Sequence, residues 1–94
     1  MPIGILSIHI YLPGCSSLKE KRSRIKPLIT KLRRDYNLSV AEMDYHDVWQ
    51  SAEIACVVIS NKGPFTQQVL QKVLTFVEEY WRDVDVIDHQ IEII

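Results

Sequence analysis

The chain has 94 residues, of which 47% are hydrophobic and 24% charged, a balance typical of a single soluble domain and not of a disordered segment. No apolar run approaches the roughly 20 residues that a membrane helix needs. The opening residues, "MPIGILSIHIYL", lack the basic start of a signal peptide. We therefore expect residues 1–94 to form one cytoplasmic domain with no membrane partner.

Charge is distributed unevenly along the chain, although the formal net charge is only −1. Residues 1–34 carry eight basic side chains and one acidic, whereas residues 35–94 carry three basic and eleven acidic ones. Such asymmetry indicates a charged partner. The alternative is that the two halves neutralise each other within the fold.

The first element is a strand, because polar and apolar residues alternate over residues 3–12. Its even positions are purely aliphatic, which predicts a core-facing side, and its odd positions are mixed. The even side carries Leu6, Ile8, Ile10 and Leu12, and the odd side carries Ile3, Ile5, Ser7, His9 and Tyr11.

A helix follows the break "PGCSS". Ser17 with Glu20 three residues later is a capping-box pattern, and an apolar stripe continues at helical spacing to Tyr36. Pro27 removes a hydrogen bond from a helix interior and costs about 3 kcal/mol there. We therefore expect a kink near Ser23, or a helix that restarts with Pro27 in its first turn.

The second half contains three strands and a helix. Strands are predicted at about residues 38–45 and 52–60, and the second of these is apolar on both faces, as in a central strand. Pro64 is well placed at the first position of a second helix. The last strand runs from about residue 84 to 94, with Ile87, Ile91 and Ile93 on one side.

The resulting order is βαββαβ. It predicts an α+β, ferredoxin-like sandwich with one four-stranded antiparallel sheet and two helices on one face. The other face of the sheet would be open.

The basic stretch "SSLKEKRSRIKPLITKLRR" is the strongest candidate site. On a helical wheel four of its cations fall within about a sixth of a turn, beside the apolar stripe. Aligned cations suit phosphates without reading bases, whereas a plain solvated helix face usually mixes charges of both signs. We expect these four to contact an RNA or a ribonucleoprotein: Lys19, Arg22, Lys26 and Arg33.

The open sheet face is the candidate for self-association. The third strand, "IACVVI", lacks the aromatic residues with which an RRM stacks RNA bases, so that mechanism is not expected. An apolar patch on a small domain favours a homodimer instead. We expect Ile3, Ile5, His9 and Tyr11 in this interface.

Trp49 lies in the short link "HDVWQ" between two strands. It has two interpretations: a plug that folds back on the edge of the sheet, or an anchor in an interface. The shortness of the link favours the plug.

No catalytic, metal or cofactor signature stands out. Cys15 and Cys56 are far apart and form no C-x-x-C motif. The three histidines are scattered over separate elements, and "LPGCSS" lacks the arginine of an acylphosphatase loop. The sequence therefore predicts a protein that is not an enzyme and holds no cofactor.

Three segments, "PGCSSLKEKR", "SVAEMDYHDVWQSA" and "VVISN", resemble the YlxP-like family of small bacterial proteins of unknown function. The resemblance implies a ferredoxin-like fold and transfers no catalytic residue. It is consistent with a small RNA- or ribosome-associated accessory factor, since genes of this family often neighbour those for translation factors. The alternative is a structural or regulatory homo-oligomer with no nucleic-acid ligand.

Overall fold

A computed structural model describes residues 2–94. The elements follow the predicted order, and their bounds are β1 Ile3–Tyr11, α1 Leu18–Tyr36, β2 Ser39–Asp44, β3 Ser51–Ile59, α2 Gly63–Tyr80 and β4 Asp85–Ile93. The sheet order β2-β3-β1-β4 is the ferredoxin-like one, with all neighbouring strands antiparallel.

The alternation of β1 divides the sheet into a buried and an open face. Leu6, Ile8 and Ile10 are at most 1% exposed, whereas the odd positions are partly or fully exposed. The buried sides of α1 and α2 join the same core as these even positions. Both helices therefore cover one face, as predicted.

Helix α1 begins where the capping pattern predicts. Ser17 is its N-cap, and the backbone N–H of Glu20 donates to the Ser17 hydroxyl at 3.0 Å. The helix ends at Asn37, whose φ of 53° lies in the left-handed region that terminates many helices.

Pro27 lies inside α1 and does not interrupt it. Of the two expectations, the restart at Pro27 is therefore wrong, and the kink near Ser23 stays a prediction. Ile25, Leu28 and Leu32 on the buried side pack into the core around this position, and tertiary packing of this kind outweighs the local cost of one missing hydrogen bond.

Gly4 allows α2 to approach β1 closely. A Cβ at this position would lie 2.3 Å from Cγ2 of Thr66 and 2.8 Å from Cδ1 of Leu70. Both are buried residues of α2, so a side chain on Gly4 would push the helix away from the sheet.

Strand β4 departs from the predicted pattern at one residue. Ile91 and Ile93 pair with Leu6 and Gly4 on the helix-covered side, but a register shift in the β1–β4 ladder displaces Ile87. Ile87 is 57% exposed, so its predicted place beside the other two isoleucines is wrong. A bulge moves a residue off its face in this way.

Neither helix is long and apolar enough to cross a bilayer within residues 2–94.

Candidate functional site

The eight basic side chains of α1 divide into two sets of four. One set forms ion pairs with acids at 2.6 to 3.4 Å, and the other has no ion pair within residues 2–94. The paired set is Lys21, Arg24, Lys31 and Arg34, and the unpaired set is Lys19, Arg22, Lys26 and Arg33. The unpaired set is the one that the sequence predicts to contact phosphate.

Lys21 is buried, with only 2% of its side chain exposed. Its ammonium donates to the carbonyl oxygen of Tyr45 at 2.6 Å and lies 2.8 Å from Oε2 of Glu42. Within residues 2–94, Oε2 of Glu42 accepts no hydrogen bond, so this contact is mainly electrostatic. Sequence reasoning missed Lys21, although its spacing from Ile25 and Leu28 placed it within the apolar stripe.

Arg24 joins α1 to the loop before β4. Its guanidinium donates to the Asp83 carboxylate at 2.8 Å, to the Asp83 carbonyl at 2.6 Å and to the Pro13 carbonyl at 2.8 Å. The hydrogen bond to Asp83 raises the pKa of Arg24. This cation therefore has a structural role.

Lys31 and Arg34 share Asp35. Their hydrogen bonds, Lys31 first, hold the pKa of the Asp35 carboxyl below its ordinary value. Because the single negative charge of Asp35 balances only one of these two positive charges, this end of α1 keeps a net positive charge.

Three of the four predicted phosphate contacts lie together. Arg22, Lys26 and Arg33 line a groove of about 410 Å³ between α1 and β2, which we call the α1–β2 groove. Its β2 side includes Ala41 and Glu42. Lys19 continues the same line along α1 but lies outside this groove.

The α1–β2 groove is suited to an anion more than to a cation. Arg33 uses one donor on the Val40 carbonyl at 2.6 Å, which orients its guanidinium beside β2, and the remaining donors of a guanidinium stay available. Glu42 is the acid in the groove, and its charge is opposed by Lys21. Oxygens of a phosphate would complement the three cations.

The predicted interface residues of β1 lie on the open face. Ile3, Ile5 and His9 are partly buried and Tyr11 is 36% exposed. The ring of Tyr45 stacks on that of His9, with centroids 4.8 Å apart. Sequence reasoning placed only Tyr11 among aromatics here, because the turn that brings Tyr45 back uses an unusual positive φ of 64°.

Trp49 is not a plug. It is 50% exposed and is not among the side chains packed against the core. The neighbouring Val48 is 45% exposed as well, so the middle of the link is open to solvent. The interpretation as an interface anchor is compatible with this position.

Both cysteines are buried free thiols in the part of the chain that the structure describes. Burial raises the pKa of the Cys56 thiol to about 12, which keeps it protonated and a poor nucleophile at neutral pH. In the same part of the chain, no three His, Cys, Asp or Glu side chains are arranged to hold a metal ion.

Comparison with known proteins supports the fold and the predicted resemblance. Residues 3–91 match the family described as "Protein of unknown function (DUF503)". The chain is 31% identical over 78 residues to the uncharacterized protein YlxP of Bacillus subtilis (strain 168), in an alignment that covers 83% of this chain and 85% of that protein.

Two solved structures align with this chain at 7% sequence identity, and the first is similar in fold. The de novo designed protein Foldit4 aligns with a TM-score of 0.55 over 100% of this chain and 97% of its own. A dabb family protein of Mesorhizobium loti with a ferredoxin-like fold aligns with a TM-score of 0.45 over 97% of this chain and 95% of its own.

Proposed function

The chain belongs to the family of proteins of unknown function DUF503, and we propose that it is a non-enzymatic accessory protein that binds RNA through the unpaired cations of α1. The bound group is the phosphate backbone, and bases are not read by these side chains.

The division of the basic side chains of α1 supports this proposal above all. If the cations of α1 served only for solubility, ion pairs should occur among the four predicted phosphate contacts as often as among the other four. Here the acids pair with Lys21, Arg24, Lys31 and Arg34, and the other four cations, three of which line the α1–β2 groove, have none of the observed ion pairs. That set retains its full charge for an external anion.

The length of this cationic line suits an extended polyanion. Lys19 and Arg33 are fourteen residues apart on α1, which corresponds to roughly 21 Å along a helix axis. A single small anion meets only one or two of these side chains, whereas a nucleic-acid backbone passes all four. Binding of this kind is driven by release of counterions and weakens steeply with salt.

Replacing two of the cations tests the proposal. Arg22→Gln/Lys26→Gln keeps helix propensity nearly constant, so the protein should fold with an unchanged melting curve. We expect its affinity for RNA to fall by a similar factor whatever the RNA sequence. The matched control is Lys72→Gln/Arg82→Gln, which removes two exposed cations outside α1 and should bind nearly as the parent does. Equal weakening in both variants would refute a specific role for α1.

The open sheet face supports a second candidate, a homodimer without a nucleic-acid ligand. Ile3 and Ile5 lie opposite Ile59 and Val57 of β3 on this face, and Ile59 is 59% exposed. Together they form an apolar patch that a second copy could cover about a two-fold axis. Sedimentation should then show a dimer that Ile5→Glu dissociates, and a monomeric parent at high micromolar concentration would exclude it.

A further inference from the structure

The outer surface of α1 carries a second depression, which we call the outer trough. Its volume is about 460 Å³. Its floor consists of short side chains, Ser23, Pro27 and Thr30, which share one face of the helix because they lie at positions i, i+4 and i+7. Its rim is formed by Lys26, Lys31, Arg34 and Trp81.

The outer trough and the α1–β2 groove meet. Lys26 and Thr30 line both, so a chain lying along Arg22 and Lys26 continues over the floor of the trough toward Trp81. The trough is also positive, because Lys31 and Arg34 have a single acid, Asp35, between them.

Trp81 provides an aromatic surface in a fixed position at this rim. Its ring packs on Phe76 with centroids 6.1 Å apart, and the side chain is partly buried against the core. Cations beside an aromatic ring are the two components by which proteins hold single-stranded nucleic acids: the cations follow the backbone and the ring stacks a base.

We propose that the nucleic acid bound by α1 is single-stranded, and that one of its bases stacks on Trp81 at the end of the outer trough. The inference rests on the proposed function and specifies its ligand. Duplex bases are paired inside the helix and cannot reach a ring at the rim of a shallow trough. The aromatic contact is therefore on the helix side of the fold, away from the sheet face that an RRM uses.

The fluorescence of Trp81 tests this directly. The chain has two tryptophans, so Trp49→Phe leaves Trp81 as the sole reporter without altering the trough. Three probes are added at low salt: a single-stranded RNA 12-mer, the duplex of the same sequence, and polyphosphate, which has charge but no bases. We expect the single strand to change the emission of Trp81 strongly and polyphosphate to bind with little change.

Affinity provides the second readout. Trp81→Leu should lower the affinity for the single-stranded 12-mer roughly tenfold, a typical loss for one stacked base. Its affinity for polyphosphate should change by less than about twofold. Single strand that binds without altering Trp81 emission, or a duplex that alters it equally, would overturn the inference and leave phosphate binding by α1 intact. Absence of binding by all three probes would refute the proposed function itself.

Discussion

At the scale of the residue, the position of a basic side chain on α1 decides its role. Lys21 and Arg22 are adjacent in sequence, yet one is 2% exposed and paired while the other is exposed and outside the observed ion pairs. Lys21 ties α1 to the turn after β2 through the Tyr45 carbonyl. Charge alone therefore does not distinguish an ion-paired cation from an unpaired one, but the helical face does.

Removal of the Lys21 charge should destabilise the fold. Lys21→Met leaves the Tyr45 carbonyl and Glu42 without their partner, and breaking a buried pair costs about 3–5 kcal/mol. We expect a loss within this range, because Oε2 of Glu42, the oxygen nearest Lys21, is buried and would lose its counter-charge. Urea unfolding measures it. Lys19→Met is the control on the exposed side and should change stability by under about 0.5 kcal/mol; equal losses would mean that the Lys21 contacts contribute nothing.

Truncation of Trp49 should leave stability almost unchanged. The side chain is half-exposed and does not pack on the core, so we expect Trp49→Ala to cost less than about 1 kcal/mol. Trp81→Ala, which removes a ring packed on Phe76, should cost about 3 kcal/mol. A large loss for Trp49→Ala in thermal unfolding would restore the interpretation of Trp49 as a plug.

At the scale of the element, the fit between α2 and β1 depends on the absence of a side chain at Gly4. A methyl group there would meet buried atoms of Thr66 and Leu70. The opposite case is Gly63 at the start of α2, where an added Cβ would have no neighbouring atom within 4 Å. The two glycines thus form a matched pair with different expectations.

Gly4→Ala should destabilise the protein by about 1–3 kcal/mol through overpacking. Gly63→Ala should be close to neutral, because the gain from a less flexible unfolded chain is offset by the restriction that Pro64 places on the preceding residue. Denaturant midpoints of the two variants test the pair. A Gly4→Ala variant as stable as the parent would show that α2 shifts outward without loss.

Much of this element-level description follows from local pattern. Alternation in β1 predicts its two faces, and the Ser17–Glu20 spacing predicts the start of α1. The unpredicted features depend on contacts between distant segments. Arg24 and Asp83 are 59 residues apart in the chain, and the displaced Ile87 results from the register between β1 and β4. The spacing of residues within one short segment cannot predict contacts between segments this far apart.

At the scale of the whole molecule, internal pairing accounts for only part of the uneven charge. Lys21 and Arg24 pair with Glu42 and Asp83 of the acidic half, which is the internal neutralisation expected as the alternative. Arg22, Lys26 and Arg33 are left to line the α1–β2 groove. The candidate site could be chosen from the sequence by helical position, but its groove and the nearby Trp81 required the tertiary fold.

The salt dependence of RNA binding decides whether α1 is a phosphate-binding helix. For a single strand, each neutralised phosphate contributes about 0.7 to the negative slope of log affinity against log salt. We expect the parent to bind weakly with a steep slope, and Arg22→Gln/Lys26→Gln to reduce that slope by up to about two units. A slope that is the same in the variant and the parent, or a parent that does not bind at low salt, would contradict the proposal and leave α1 as a solvated face.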